Sequence, residues 1–194
     1  MSLIRIAGAA ALVLSFGLLI HAMPVPQSIE DLHIKVCVGV NVVVHTLHKM
    51  VVDGDLESKI KAMAHANTAA ELKACVAVLV RLLAACTSDL VKIGANVSIN
   101  ADERASIVGC IASTIVLLVR VCAHVSVKLG INTVATVFAD LDVHVRDLLV
   151  NLNICVGGIL ELIVKACVSL TVGFIDSVKL HLIAKVCAQA GLQY

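Results

Sequence analysis

Residues 68–94 read TAAELKACVAVLVRLLAACTSDLVKIG. Leu72, Val76, Leu79, Leu83, Cys86 and Leu90 recur every three or four positions, a spacing that stacks them along one side of an α-helix. Lys73, Arg81 and Ser88 fall on the other side. Thr68 stands three residues before Glu71, as in a capping box, and Gly94 follows Lys92 where a helix should stop. The segment predicts an amphipathic helix over 68–93 with its own start, face and stop.

The same grammar repeats along the chain. Asn100 precedes Glu103 by three, Ser28 precedes Glu30 and Asp31, and Gly130 follows Lys128. No proline follows Pro26, which favours long helices over turns and loops. Helices are expected near 28–52, 55–66, 68–93, 101–129, 133–152, 154–172 and 175–190. In 101–129, Val108, Ile111, Ile115, Leu118, Cys122 and Val125 oppose Arg120, His124 and Lys128. In 154–172, Ile159, Leu162, Ile163 and Ala166 oppose Glu161, Lys165 and Ser169. Charges recur within every long apolar stretch, so these read as amphipathic helices rather than membrane spans. One stretch is ambiguous. Residues 36–42 alternate like a strand, but the apolar run continues through Val43, Val44 and Leu47 without a turn signal, so a helix is expected there.

The N-terminus has the plan of an export signal. Arg5 supplies a positive charge, Ile6 to Ile20 carry none, and His21-Ala22-Met23-Pro24 ends the run with Ala22 at a cleavage position. Residues 1–22 are read as a signal peptide and 23–194 as one secreted domain; a retained N-terminal anchor is the alternative. Export turns the eight cysteines, an even number, into a disulfide framework. Cys75 and Cys86 lie about 16 Å apart on one helix face, and Cys110 and Cys122 on the next helix repeat the spacing of eleven or twelve residues. The natural pairing is Cys75 with Cys122 and Cys86 with Cys110, completed by Cys167 with Cys187 and Cys37 with Cys155. Spacing alone leaves many other pairings open. Asn96-Val97-Ser98 is an N-glycosylation sequon in an expected loop. The fold class is therefore an all-α, disulfide-stapled bundle of about six to seven helices. Leu72-Lys73-Ala74-Cys75-Val76 and Leu152-Asn153-Ile154-Cys155-Val156 hint at tandem halves near 28–94 and 101–174, although chance likeness between valine-rich helices explains the match equally well.

Chemistry is sparse. A net charge of +1 with no Trp, one Tyr and three Phe offers neither a basic footprint nor stacking platforms for nucleic acid. No Cys-x-x-Cys occurs, and His45 with His48 is too little for a metal site, so neither metal nor cofactor is expected. No His-Glu-x-x-His, nucleophile elbow or phosphate loop is present. Asp140, Asp142, His144 and Asp147 form the densest acid–histidine group, and Asp140, His144 and Asp147 share a helix side; a solvated outer face accounts for them. The chain is read as a non-enzyme.

What stands out is aliphatic surplus. Hydrophobic residues make up 60% of the chain, against roughly 45–50% in an average soluble domain. Val38, Val42, Val80 and Leu117 fall on faces assigned to solvent. The surplus can serve an internal cavity, a homodimer surface or a surface turned to membranes. The leading expectation is a secreted protein that sequesters a lipid or other apolar small molecule between helices, lined by Leu79, Leu83, Ile115, Leu118, Ile159 and Ile163. The alternatives are a surface-active, membrane-disturbing defence protein and a self-associating interaction protein.

With its export signal, cysteines and aliphatic helices, the chain resembles in general character secreted helical lipid carriers such as plant lipid-transfer proteins, elicitins and saposins. It also resembles the small secreted cysteine-rich proteins of fungi. The adjacent Cys-Cys and the Cys-x-Cys of the plant family are absent, and the chain is longer than any of these units. The resemblance implies export and apolar ligands, and transfers no functional residue.

Overall fold

Cap chemistry sets the helix boundaries. In a computed structural model, which describes residues 28–170, the Thr68 side chain accepts the Glu71 N–H at 3.2 Å while the Glu71 carboxylate accepts the Asn67 N–H at 2.7 Å. Asn100 Oδ1 accepts the Glu103 N–H at 2.8 Å, and Ser28 Oγ accepts the Glu30 N–H at 3.3 Å. At the other ends, Gly94 and Gly130 both adopt φ of 85°, which side-chain-bearing residues rarely reach. Residues 1–22, read as a signal peptide, Cys187, the helix expected at 175–190 and the end of the tandem half expected at 101–174 lie outside the described residues.

The helices so bounded are α1 (Val42–His48, running on through a π-helical turn at Lys49–Asp53), α2 (Leu56–His65), α3 (Ala69–Ile93), α4 (Ala101–Leu129), α5 (Ile131–Cys155) and α6 (Ile159–Leu170). A 3-10 turn at Ile29–Asp31 and an extended segment over 32–41 precede them. Among the described residues there are no strands, so the molecule is an all-α bundle.

The helices pack in two parallel pairs. Cys155 Sγ donates to the Leu90 carbonyl at 3.3 Å, so α3 and α5 end side by side. Arg104 donates to the Gly157 carbonyl at 3.1 Å, and Cys167 Sγ lies 4.0 Å from the Ala112 carbonyl, so α4 and α6 run together in the same sense. The single residue Gly130 reverses the chain between α4 and α5. α2 bridges the pairs by packing on both α3 and α4. One continuous apolar core runs through all of them.

The face read for α3 is the buried face: Leu72, Val76, Leu79, Leu83, Cys86 and Leu90 are all buried. Elsewhere the structure corrects the sequence reading. Residues 32–41 are extended rather than helical, because side chains from α2 and α4 take their amide hydrogens. Leu117, assigned to solvent, is fully buried, because α2, α5 and α6 surround α4. Leu162, assigned to the interior, is exposed, and Leu160 and Val164 turn inward with Ile159 and Ile163. Among the described residues, the break expected at 153 falls at residues 156–158 instead. Gly158 adopts φ of 74° there, and Asn153 Oδ1 accepts the Leu160 N–H at 3.2 Å to start α6. The two similar pentapeptides occupy different places, one in the opening turns of α3 and one running off the end of α5.

Candidate functional site

The extended segment is a strap laid antiparallel along α4. Its amides, which have no ladder to join, donate instead to side chains: Ile34 N–H to Glu57 at 2.7 Å, Lys35 to Ser113 Oγ at 2.9 Å, and Val38 to Ser106 Oγ at 2.7 Å. Val40 and Asn41 both donate to one oxygen of Glu103, each at 2.9 Å. Glu103 is the one buried carboxylate of the described residues, and these two bonds compensate its removal from water. Ser113 passes the bonding on by donating to the Gly109 and Cys110 carbonyls. Gly39 is required where strap and carboxylate meet: its φ is +154°, and an added Cβ falls 2.7 Å from Glu103 Cγ.

The strap turns Ile34 and Cys37 inward and leaves Val36, Val38, Val40 and Val42 outside, with Val38 71% and Val40 98% exposed. Val38 and Val42 thus lie in solvent as the sequence reading placed them. Val80 is half-buried.

The six residues expected to line a ligand chamber belong to the packed core or its margin. Leu79, Leu83, Leu118, Ile159 and Ile163 are buried, and Ile115 packs against them from the edge. They are not gathered around one axis. Leu79 and Leu83 sit on α3, whose main partners are α5 and α2, while the other four sit on the α4–α6 pair.

The apolar surplus surfaces elsewhere. α3 and α4 are each long and apolar enough to cross a membrane, yet only 28% of that stretch of α3 is buried, against 56% for α4. Between Lys73 and Asp89 the sole charge on α3 is Arg81. Around it Ala74, Val78, Ala84 and Ala85 are exposed.

The cysteines also depart from expectation. The seven within the described residues are thiols. Cys110 on α4 faces Cys37 on the strap as well as Cys86, and the Cys37 and Cys110 side chains hydrogen-bond. The hydrogen bond from Cys110, then burial, then the nearby Cys110 and Cys86 push the Cys37 thiol far up. Burial, with Asp89 and Cys110, pushes Cys86 up to about 12. Burial alone pushes Cys122 up to about 12. Cys155, expected to bridge Cys37, donates to Leu90 instead. The α3–α4 hairpin stapled by Cys75–Cys122 and Cys86–Cys110 is not formed, because α3 packs chiefly on α5 and α2 while α4 packs chiefly on α6 and α2. Thiols with raised pKa are poor nucleophiles.

The polar clusters resolve into local pairs. His144 Nδ1 lies 2.9 Å from the Asp140 carbonyl, Arg146 reaches Asp142 at 3.5 Å, and the Asp147 carbonyl accepts from Asn151 at 2.8 Å, all along the surface of α5. His45 is exposed, whereas His48 Nδ1 lies 2.9 Å from the Cys37 carbonyl, so the two histidines do not converge. Among the described residues no group of three His, Cys, Asp or Glu is placed to hold a metal ion. Asn96 lies exposed in the loop between α3 and α4, with φ of 58° and its N–H bonded to the Ile154 carbonyl at 3.2 Å.

Sequence reasoning missed the strap and its carboxylate seat. The available signals were the alternation over residues 36–42 and Gly39 within it, a residue that weakens a helix and permits a close approach. No family model, curated protein or solved structure matches the chain.

Proposed function

We propose that this is a secreted, non-enzymatic protein that binds a lipid or another apolar small molecule, and that the ligand lies along the outward face of α3. The observation carrying this reading is the 28% burial of a helical stretch apolar enough to cross a membrane. Water-exposed aliphatic surface of that extent favours apolar company: covering about 200 Å2 of it contributes about 5 kcal/mol before the costs of association. Of the six interior residues named from sequence, Leu79 and Leu83 form the buried side of α3 and the other four pack in the α4–α6 pair, so none touches the ligand. Arg81, alone in the middle of the face, suits an anionic or polar headgroup while its stem packs on the alkyl chain. Glycosylation at Asn96 belongs to the same proposal, since it requires export.

Organic extraction and mass spectrometry of the purified full chain test the reading. A lipid recovered in stoichiometric amount is expected. Val78→Ser combined with Val91→Ser, two exposed positions of α3, should weaken binding by about thirtyfold, since each lost apolar contact is worth roughly 1 kcal/mol. Leakage from liposomes without lipid capture points instead to a surface-active protein. A tight dimer in sedimentation without any lipid points to self-association. Either result removes the carrier reading.

A further inference from the structure

Cys37 and Cys110 are both fully buried and hydrogen-bonded to each other. Two independent anchors hold them in register. Lys35 is tied to Ser113 and Val38 to Ser106, so the antiparallel strap can place Cys37 only over the interval of α4 in which Cys110 stands. His48 fixes the Cys37 carbonyl from the far side at 2.9 Å. Two thiols close enough to hydrogen-bond reach the roughly 2.05 Å of a disulfide by side-chain rotation.

We propose that Cys37 and Cys110 close into a disulfide that bolts the strap onto α4, with Cys86 left as the neighbouring thiol. Glutathione disulfide is a sufficient oxidant. One cysteine thiolate attacks a glutathione sulfur and releases one glutathione thiolate, leaving a mixed disulfide. The second cysteine thiolate attacks the protein-bound sulfur and releases the second glutathione. The two cysteine protons end on the two glutathiones, and two electrons pass from the cysteines to the oxidant. Because both sulfurs are buried in the seated strap, the exchange takes place before the strap docks, during folding. Once closed, the bond is shielded from thiols in solution. This differs from the Cys37–Cys155 and Cys86–Cys110 pairs that spacing favours. It also stands apart from lipid binding, because neither the bond nor its test involves the face of α3.

The test uses the full chain, refolded from denaturant in a glutathione redox buffer, alkylated in denaturant, digested without reduction and mapped by mass spectrometry. The expected result is a linked pair of peptides carrying Cys37 and Cys110, in the wild-type protein and equally in Cys86→Ser. Dithiothreitol should open that bond more slowly in native buffer than in urea, by about tenfold or more given the burial of both sulfurs. Full alkylation of Cys37 and Cys110, linkage of Cys110 to Cys86 in the wild type, or linkage of Cys37 to Cys155 overturns the proposal. Equal reduction rates in the two buffers overturn it as well, since they remove the bond from its buried seat.

Discussion

Between Lys73 and Asp89 α3 carries one charge, and between Arg104 and Arg120 α4 carries none. Two helices of such similar composition meet opposite fates: 28% of the apolar stretch is buried in one and 56% in the other. The difference lies in position rather than in propensity. α4 is ringed by α2, α5, α6 and the strap, whereas α3 packs on α5, α2 and α1 and leaves its other side open. Aliphatic content makes a helix and supplies burial energy, but chain topology decides how much of it is collected. The surplus read from composition is therefore divided, part enclosed around α4 and part left bare on α3.

The largest expected contrast comes from truncating one side chain on each helix. Leu117→Ala on α4 removes a fully buried side chain and should cost about 2–5 kcal/mol, the usual cost of a core cavity. Val78→Ala on the open face of α3 should stay within about 0.5 kcal/mol. Urea denaturation of both variants measures this directly. Comparable losses at the two sites in lipid-free protein mean that the chain itself covers the outer face of α3 in solution, and the contrast between the two helices collapses.

A second substitution asks whether the strap is what makes α4 the enclosed helix. Gly39→Ala combines an unfavourable φ of +154° with a contact at 2.7 Å to Glu103, a combination expected to cost about 1–3 kcal/mol. Hydrogen exchange should then show the amides of Val38, Val40 and Asn41 losing protection while those of α3 keep theirs. Unchanged protection in the strap means that Glu103 gives way easily and is no latch.

These contrasts also show what was legible beforehand. All six interior positions of α3 were readable from periodicity, because a helix packed on one side obeys one stripe. The caps at Thr68 and Asn100 and the stops at Gly94 and Gly130 were readable because they are local. Leu117 was not, because a helix covered from several directions hides no stripe and its buried set wraps around. The strap was not readable either. Its extended backbone depends on Glu57, Glu103, Ser106 and Ser113, residues far along the chain whose side chains replace the partners a strand would supply. The partnership of Cys37 and Cys110 follows from that placement and is invisible to helix spacing. Of the residues expected to line a ligand site, five are buried in the core and Ile115 lies at its margin, while the exposed face of α3 emerged only from the packing.

The smallest effect expected is one of pH, and it again separates the two regions. Glu57 seats the beginning of the strap by accepting from Ile34 N–H at 2.7 Å, with His33 Nδ1 and Lys61 Nζ each 2.9 Å away. Burial opposes its ionisation, but the Ile34 amide, Lys61 and His33 outweigh it and hold the carboxyl down at about 2 against an ordinary 4.5. A folded value below the unfolded one means the stabilisation is complete above the unfolded value, declines as pH falls and is gone below the folded value. Because the side chain is partly open to solvent, the contribution is about 1 kcal/mol after screening. Glu57→Gln should therefore flatten the stability curve between pH 4.5 and 2. Asp89 on α3 is also lowered, by its hydrogen bond to Lys92, but the two form a surface pair one helical turn apart with no contact to the strap. Asp89→Asn should leave the same curve where it was. Acid titrations of the two variants side by side, followed by circular dichroism, decide the point: an equal response from both says that the strap is held no more firmly than a surface pair.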